Sequence, residues 1–278
     1  MPAEKSGFTL IELSIVLIII GLVTGAILVG QDLVRAAETH SIIGQIEGYK
    51  AAINTFRVKY NALPGDMPDA TDYWGTDVNC PNTVYDGVPK TATCNGNGNG
   101  LIGNSLTPDV YENQRFWQHL ANAGLIEGAY TGVRSTGAYT WCSSFPSSAP
   151  MLKAQPKAGI NLYGTMNMMG ADLVPLNPPN PEFLNSTTAF YDTVFFIGKS
   201  TAGDDPQNSS GRGALFTSQQ VYSIDSKIDD GMPYTGMIRI SAYPSDGIAN
   251  CATAQSLTAT YILNTSGINC DILWDEKL

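Results

Sequence analysis

An apolar run from Phe8 to Val29, interrupted by one carboxylate at Glu12, constrains this chain more than any other feature. As a helix it covers about 33 Å at 1.5 Å per residue, enough for a hydrocarbon core of about 30 Å. A secretory signal has an apolar region of about 7–15 residues and then a small-residue cleavage site. Here the run is longer and reads on into further helix, so a retained membrane span is expected. Gly21 and Gly25 form a small-xxx-small pair, with Gly30 a turn or so beyond. Such a pair lets helices approach closely in a bundle, although glycine is also simply frequent in membrane helices.

A carboxylate at membrane depth costs a few kcal/mol and therefore has a partner, a function, or a wet position at the membrane edge. No Lys or Arg lies between Phe8 and Gln31, so a partner for Glu12 has to come from elsewhere. A new amino terminus, created by cleavage between Gly7 and Phe8, would be such a cation on a neighbouring chain.

The segment Lys5-Ser6-Gly7-Phe8-Thr9-Leu10-Ile11-Glu12-Leu13 resembles the leader and N-terminal signature of type IV pilins and type II secretion pseudopilins. That signature has Gly before the scissile bond, Phe after it, Glu as the fifth residue of the mature chain, and a long apolar helix. The resemblance implies cleavage after Gly7 by a membrane prepilin peptidase and N-methylation of Phe8. It also implies that Glu12 neutralises the amino terminus of a neighbouring subunit during filament assembly. The expected organisation is a leader over 1–7, a helix over 8–60 whose 8–29 half is transmembrane and then filament core, and a periplasmic or extracellular head over 61–278. The implied partners are prepilin peptidase, other pilin or pseudopilin subunits and an inner-membrane assembly platform. The implied location is the bacterial inner membrane, single-pass with a periplasmic head, and afterwards a filament. Two departures stand out: Glu4 offsets Lys5 in the leader, weakening the positive-inside signal, and the apolar half of the helix lacks the proline often found there.

Beyond the span, Ile42, Ile46, Tyr49, Ile53, Phe56 and Tyr60 recur at spacings of four and three, a helical stripe expected to pack on the chain's own head. A coiled coil is the alternative, but the stripe covers little more than two heptads. Ala62-Leu63-Pro64-Gly65-Asp66 ends the helix, because Pro64 biases Leu63 away from helical geometry and Pro-Gly marks a turn. A similar element follows the helix in many pseudopilin-like sequences. Residues 75–110 read as loop. Gln114–Ala123 reads as a short helix with Phe116, Trp117 and Leu120 on one face and a stop at Gly124. Residues 140–190 carry no clear pattern, and strands are expected at Thr193–Gly198, Gly236–Ala242 and Ala259–Leu263. This order predicts an α+β protein: a long N-terminal helix and a C-terminal head with an antiparallel sheet.

All five cysteines follow the span. Cys80 with Cys94 and Cys251 with Cys270 would each close a local loop by a disulfide, leaving Cys142 over, but sequence alone does not fix connectivity. A zinc site is the other reading, and it lacks any Cys-x-x-Cys or Cys/His cluster. Asn95-Gly96-Asn97-Gly98-Asn99-Gly100 imitates the spacing of a calcium loop but contains no carboxylate, which excludes an EF-hand and leaves a turn. No cofactor is expected; calcium remains a minor alternative, with Asp225, Asp229, Asp230 or Asp86 as oxygen donors. The same Asp225, Asp229 and Asp230 are the only candidates for an enzyme, and aspartates clustered before glycine are more often turn formers.

Composition narrows the function further. With 25 acidic against 15 basic residues the net charge is −10, the wrong sign for a general nucleic-acid binder. The two histidines, His40 and His119, are far apart in sequence, which disfavours a histidine-rich metal site or a Ser/His/Asp triad. No phosphate-binding loop or lipase elbow occurs. The reading is therefore a non-enzymatic filament subunit. The alternative is a minor or tip pilin whose large head acts as an adhesin or substrate-binding module.

Overall fold

No proline interrupts the chain between Leu10 and Tyr60, and the computed structural model has one unbroken helix, α1, over Leu10–Tyr60. Its 51 residues make a rod of about 76 Å. The structure describes residues 9–78, 80, 88–100, 102, 112–132, 150–153, 155–163, 193–199, 214–240, 250–254, 256–265 and 267–276. Gly7, Phe8, Asp86 and Cys142 lie outside them.

The second half of α1 is the scaffold of the head. Ile42, Ile46, Ile53 and Phe56 of the stripe are buried, while Tyr49 and Tyr60 lie partly buried at its margins. The stripe packs on the chain's own head. The helix stops where Asn61 turns left-handed at φ 52° and donates its N–H to the carbonyl of Arg57.

Four shorter elements pack around this half. A single turn, α2, spans Ala70–Trp74, and α3 spans Glu112–Asn122 with Phe116, Trp117 and Leu120 fully buried. Gly124 follows α3 at φ 72°, and the N–H of Leu125 closes back on the carbonyl of Leu120. A third, α4, runs over Ser218–Ile228, opened by a reciprocal capping box between Thr217 and Gln220.

The fourth is an antiparallel sheet of β1 (Met151–Leu152), β2 (Gln155–Tyr163), β3 (Thr193–Lys199), β4 (Ile238–Arg239) and β5 (Ile272–Glu276), in the order β1-β2-β3-β5-β4. With the long helix this is the α+β architecture expected. Aromatic rings join the layers: Tyr49 of α1 meets Trp117 of α3 edge-on at 5.0 Å, Trp117 meets Phe195 of β3 at 5.8 Å, and Phe195 stacks on Trp274 of β5 at 4.4 Å.

Three local expectations are corrected. Ala259–Leu263 is no strand: it contributes one isolated bridge, Ala252 with Tyr261, because among the described residues no neighbouring strand continues the ladder. Of the expected Gly236–Ala242, the described residues pair in the sheet at Ile238–Arg239, and Ser241 and Ala242 lie outside the described residues. The patternless stretch 140–190 contains β1 and β2, and β5, the inner partner of β3, lacks the apolar/polar alternation that would have announced it.

Candidate assembly site

Thr9 is the N-cap of α1 and Glu12 its third residue, so a reciprocal capping box forms at the point where the apolar helix begins. One carboxylate oxygen of Glu12 accepts both the backbone N–H of Thr9 at 2.8 Å and its hydroxyl at 2.7 Å. In return the N–H of Glu12 donates to the Thr9 hydroxyl oxygen at 3.4 Å. The side chain is thus held at the helix start, exposed, rather than pointing along the rod. The two residues between Thr9 and Glu12, Leu10 at 90% and Ile11 at 68%, are exposed as well.

From Leu10 through Arg35 no residue of α1 is buried, although nearly all large side chains up to Val29 are apolar. Among the described residues α1 is the one helix long and apolar enough to cross a membrane. A β-carbon added to Gly21 or Gly25 would meet nothing within 4 Å, so the rest of the chain leaves this strip of the helix uncovered. Gross apolar exposure on this scale marks a surface that a membrane or partner helices cover. Polar character returns at Gln31, and Asp32 pairs with Arg35 at 3.8 Å before burial starts at Thr39.

The element after the helix does more than stop it. Gly65 sits at φ 88° and packs on the start of α3. Asp66 is 2% exposed and draws the Asn-Gly loop around itself: its carboxylate oxygens accept the N–H of Asn99 at 3.1 Å and of Gly100 at 2.8 Å, and its carbonyl accepts that of Gly98 at 3.0 Å. Glu112, at the start of α3, accepts from Asn97 at 2.9 Å. His119 is buried at the centre of the same junction, its ring stacked over Phe56 and tilted against Trp74. Burial, with help from the nearby Arg115 charge, pushes its pKa down to about 3, so the ring is neutral.

This network is not legible in the sequence. From sequence alone Leu-Pro-Gly-Asp reads as a helix stop, the Asn-Gly run as a turn, and His119 as a residue far from His40. The one available signal was the combination of a carboxylate after Pro-Gly with a later run of backbone donors lacking side-chain bulk.

The candidate acidic cluster is brought together: carboxylate oxygens of Asp225, Asp229 and Asp230 lie within 4.8 Å of one another. Asp225, however, belongs to α4 and not to a turn. It accepts the Tyr261 hydroxyl at 2.7 Å and the N–H of Gly231 at 3.0 Å. Asp229 accepts the N–H of Met237 and that of Ile238, and Asp230 accepts from Met232 and Thr235. These bonds organise the turn between α4 and β4. Burial pushes the Asp225 carboxyl up to about 7, against the opposing pull of Tyr261 and Gly231. The sulfurs of Cys80 and Cys94, and of Cys251 and Cys270, are bonded, with Cα separations of 5.7 Å and 5.5 Å.

Comparison with protein families matches residues 3–28 to the prokaryotic N-terminal methylation motif, the signature of type IV pilins and pseudopilins. No curated protein and no solved structure matches the chain. The motif marks a type IV pilin-like precursor, processed by a peptidase, and points to a structural protein rather than an enzyme.

Proposed function

We propose that this chain, which carries the N-terminal methylation motif, is a subunit of a type IV pilus or type II secretion pseudopilus. Prepilin peptidase cuts after Gly7 and methylates Phe8. The leader 1–7 is lost, the helix enters a filament core, and the head, from about residue 61, covers the outside. The inner membrane holds the subunit until the assembly platform extracts it.

The observation that carries this reading is the unburied apolar half of α1 directly behind the motif, joined without a break to a half that is buried in the head. Burying that surface between neighbouring helices removes it from lipid without exposing it to water. Glu12 then sets axial register. A carboxylate buried among apolar helices without a cation costs several kcal/mol, so a subunit whose Glu12 misses a neighbour's amino terminus is disfavoured.

The test is intact-mass and N-terminal analysis of the protein from native membranes and from sheared extracellular filaments. A chain beginning at methylated Phe8 is expected in both, and its abundance in the sheared fraction separates a major subunit from a minor, tip or pseudopilus one. An unprocessed chain confined to membranes refutes the reading.

A further inference from the structure

We propose that the Asn95–Gly100 loop is a latent deamidation site held shut by the turn that follows the long helix, with Asp66 guarding its last Asn-Gly bond. Three Asn-Gly pairs stand in succession: Asn95-Gly96, Asn97-Gly98 and Asn99-Gly100. In such a pair the glycine backbone nitrogen gives its proton to solvent base and bonds to the asparagine Cγ. The Cγ–Nδ2 bond breaks and ammonia leaves. The resulting succinimide takes up water at either carbonyl to give aspartate or isoaspartate, the latter rerouting the main chain through the β-carbon. Glycine permits this because it has no side chain to block the approach and bends the backbone freely.

In the folded chain all three attacking nitrogens are occupied. Gly96 donates to the carbonyl of Met67 at 2.8 Å, Gly98 to the carbonyl of Asp66 at 3.0 Å, and Gly100 to the Asp66 carboxylate at 2.8 Å. Two of the amides under attack are tethered as well: Asn95 Oδ1 accepts from the N–H of Thr71 at 2.8 Å and Asn97 Oδ1 from that of Asn99 at 3.0 Å. The approach to Asp66 is so close that a β-carbon on Gly96 would lie 2.2 Å from the Asp66 carbonyl carbon. The three asparagines themselves are exposed, so water and base reach them freely. Protection therefore comes from hydrogen bonding and not from burial, and the reaction proceeds only in the fraction of molecules whose loop has opened. The inference does not depend on the filament reading.

The experiment incubates the full-length chain in detergent micelles at mildly alkaline pH and maps aspartate and isoaspartate by peptide mass spectrometry. The reference is the same chain reduced and unfolded in guanidinium. Each pair is expected to convert about tenfold more slowly, or slower still, when folded, the factor set by a local opening cost of about 1.4 kcal/mol. Asp66→Asn is expected to speed Asn99-Gly100 by about tenfold and to leave Asn95-Gly96 slow, because the Gly96 nitrogen is held by Met67 and not by the carboxylate. Equal rates in folded and unfolded wild type overturn the proposal, as does an unchanged Asn99 rate, or equal acceleration of all three pairs, in a D66N chain that keeps its near-ultraviolet signal. Should D66N not fold, amide exchange in the wild type decides: slow exchange at Gly96, Gly98 and Gly100 supports the proposal and fast exchange overturns it.

Discussion

Across 54 residues of sequence, Nδ1 of buried His119 accepts the backbone N–H of Gly65 at 2.9 Å. The bond assigns the ring's proton to Nε2, which lies 3.0 Å from the Thr93 hydroxyl. That hydroxyl in turn donates to Gln118 Oε1 at 2.8 Å, and the Gln118 amide donates to the carbonyls of Lys90 and Ala92. A single directional chain therefore links the end of α1, helix α3 and the loop before the Asn-Gly run. Every member uses its donor, which is the condition for a buried polar network to stabilise and not to cost.

The network makes a pH prediction. His119 has a folded pKa near 3 against 6.5 when free, so below about 6.5 the unfolded chain takes up a proton that the folded one refuses, and stability falls with falling pH. Asp225 has the opposite sign: between 3.8 and about 7 the unfolded chain loses a proton that the folded one keeps, and stability falls with rising pH. Each slope is at most about 1.4 kcal/mol per pH unit, and they oppose one another between about pH 4 and 6.5. Guanidinium unfolding is expected to show the wild-type advantage over His119→Gln shrinking as pH falls, and its advantage over Asp225→Asn shrinking as pH rises. A pH-independent difference for either variant refutes that half of the argument.

Gly65 and Gly44 predict opposite responses to alanine. At Gly65 the backbone has φ 88° and a β-carbon would stand 2.3 Å from the Glu112 carbonyl oxygen, so Gly65→Ala is expected to cost about 2–4 kcal/mol. At Gly44, mid-helix, the added carbon meets nothing within 4 Å, and Gly44→Ala is expected to stabilise by about 0.5–1 kcal/mol. Denaturant midpoints of the two variants, moving in opposite directions from wild type, are the measurement.

Two positions on the same turn of α1 test where the head's core lies. Phe56 is 0% exposed and Val58 is 89% exposed. Phe56→Ala is expected to lose about 3–5 kcal/mol and Val58→Ala to stay within about 0.5 kcal/mol of wild type. Comparable losses would mean that the outer face of the helix is covered in the isolated protein.

Thr9 and Glu12 share a capping box, so separating their roles needs both substitutions. Thr9→Ala removes the cap at a cost of about 1 kcal/mol and is expected to leave filament yield near normal. Glu12→Ala is expected to insert in the membrane and yet be poorly incorporated into filaments. Normal yield from Glu12→Ala, measured in the sheared fraction, would refute a role for Glu12 in register.

The long helix was legible because its signals are local and repeated: an apolar run, then a stripe at helical spacing, then Pro-Gly. Phe116, Trp117 and Leu120 disclosed α3 in the same way. Helix α4 was hidden because Ser218, Ser223, Asp225 and Ser226 weaken its apolar periodicity, and the buried Asp225 depends on Tyr261, a partner 36 residues away. Strand β5 was hidden for a related reason. Its Ile272-Leu273-Trp274 is a continuous apolar run, followed by an Asp275 that is buried beside Arg239 at 3.7 Å, so the alternation that marks a half-exposed strand is missing. In the assembly site, Glu12 was conspicuous as the lone charge in an apolar run. Asp66 and His119 were not, since their meaning lies in backbone donors supplied from 33 to 54 positions away.

Both disulfides close loops inside the head, and neither reaches α1. The helix has its peptide ladder from Leu10 to Tyr60 and no proline hinge. Under tension along the rod, load passes from the outer layers to the shaft by two routes in parallel: the main chain at Asn61–Asp66, and the noncovalent seam of Ile42, Ile46, Ile53 and Phe56. The seam is the fuse. A pull that exceeds it is expected to part α4 and the strands from the shaft before any covalent bond breaks, since the seam is held by apolar packing alone.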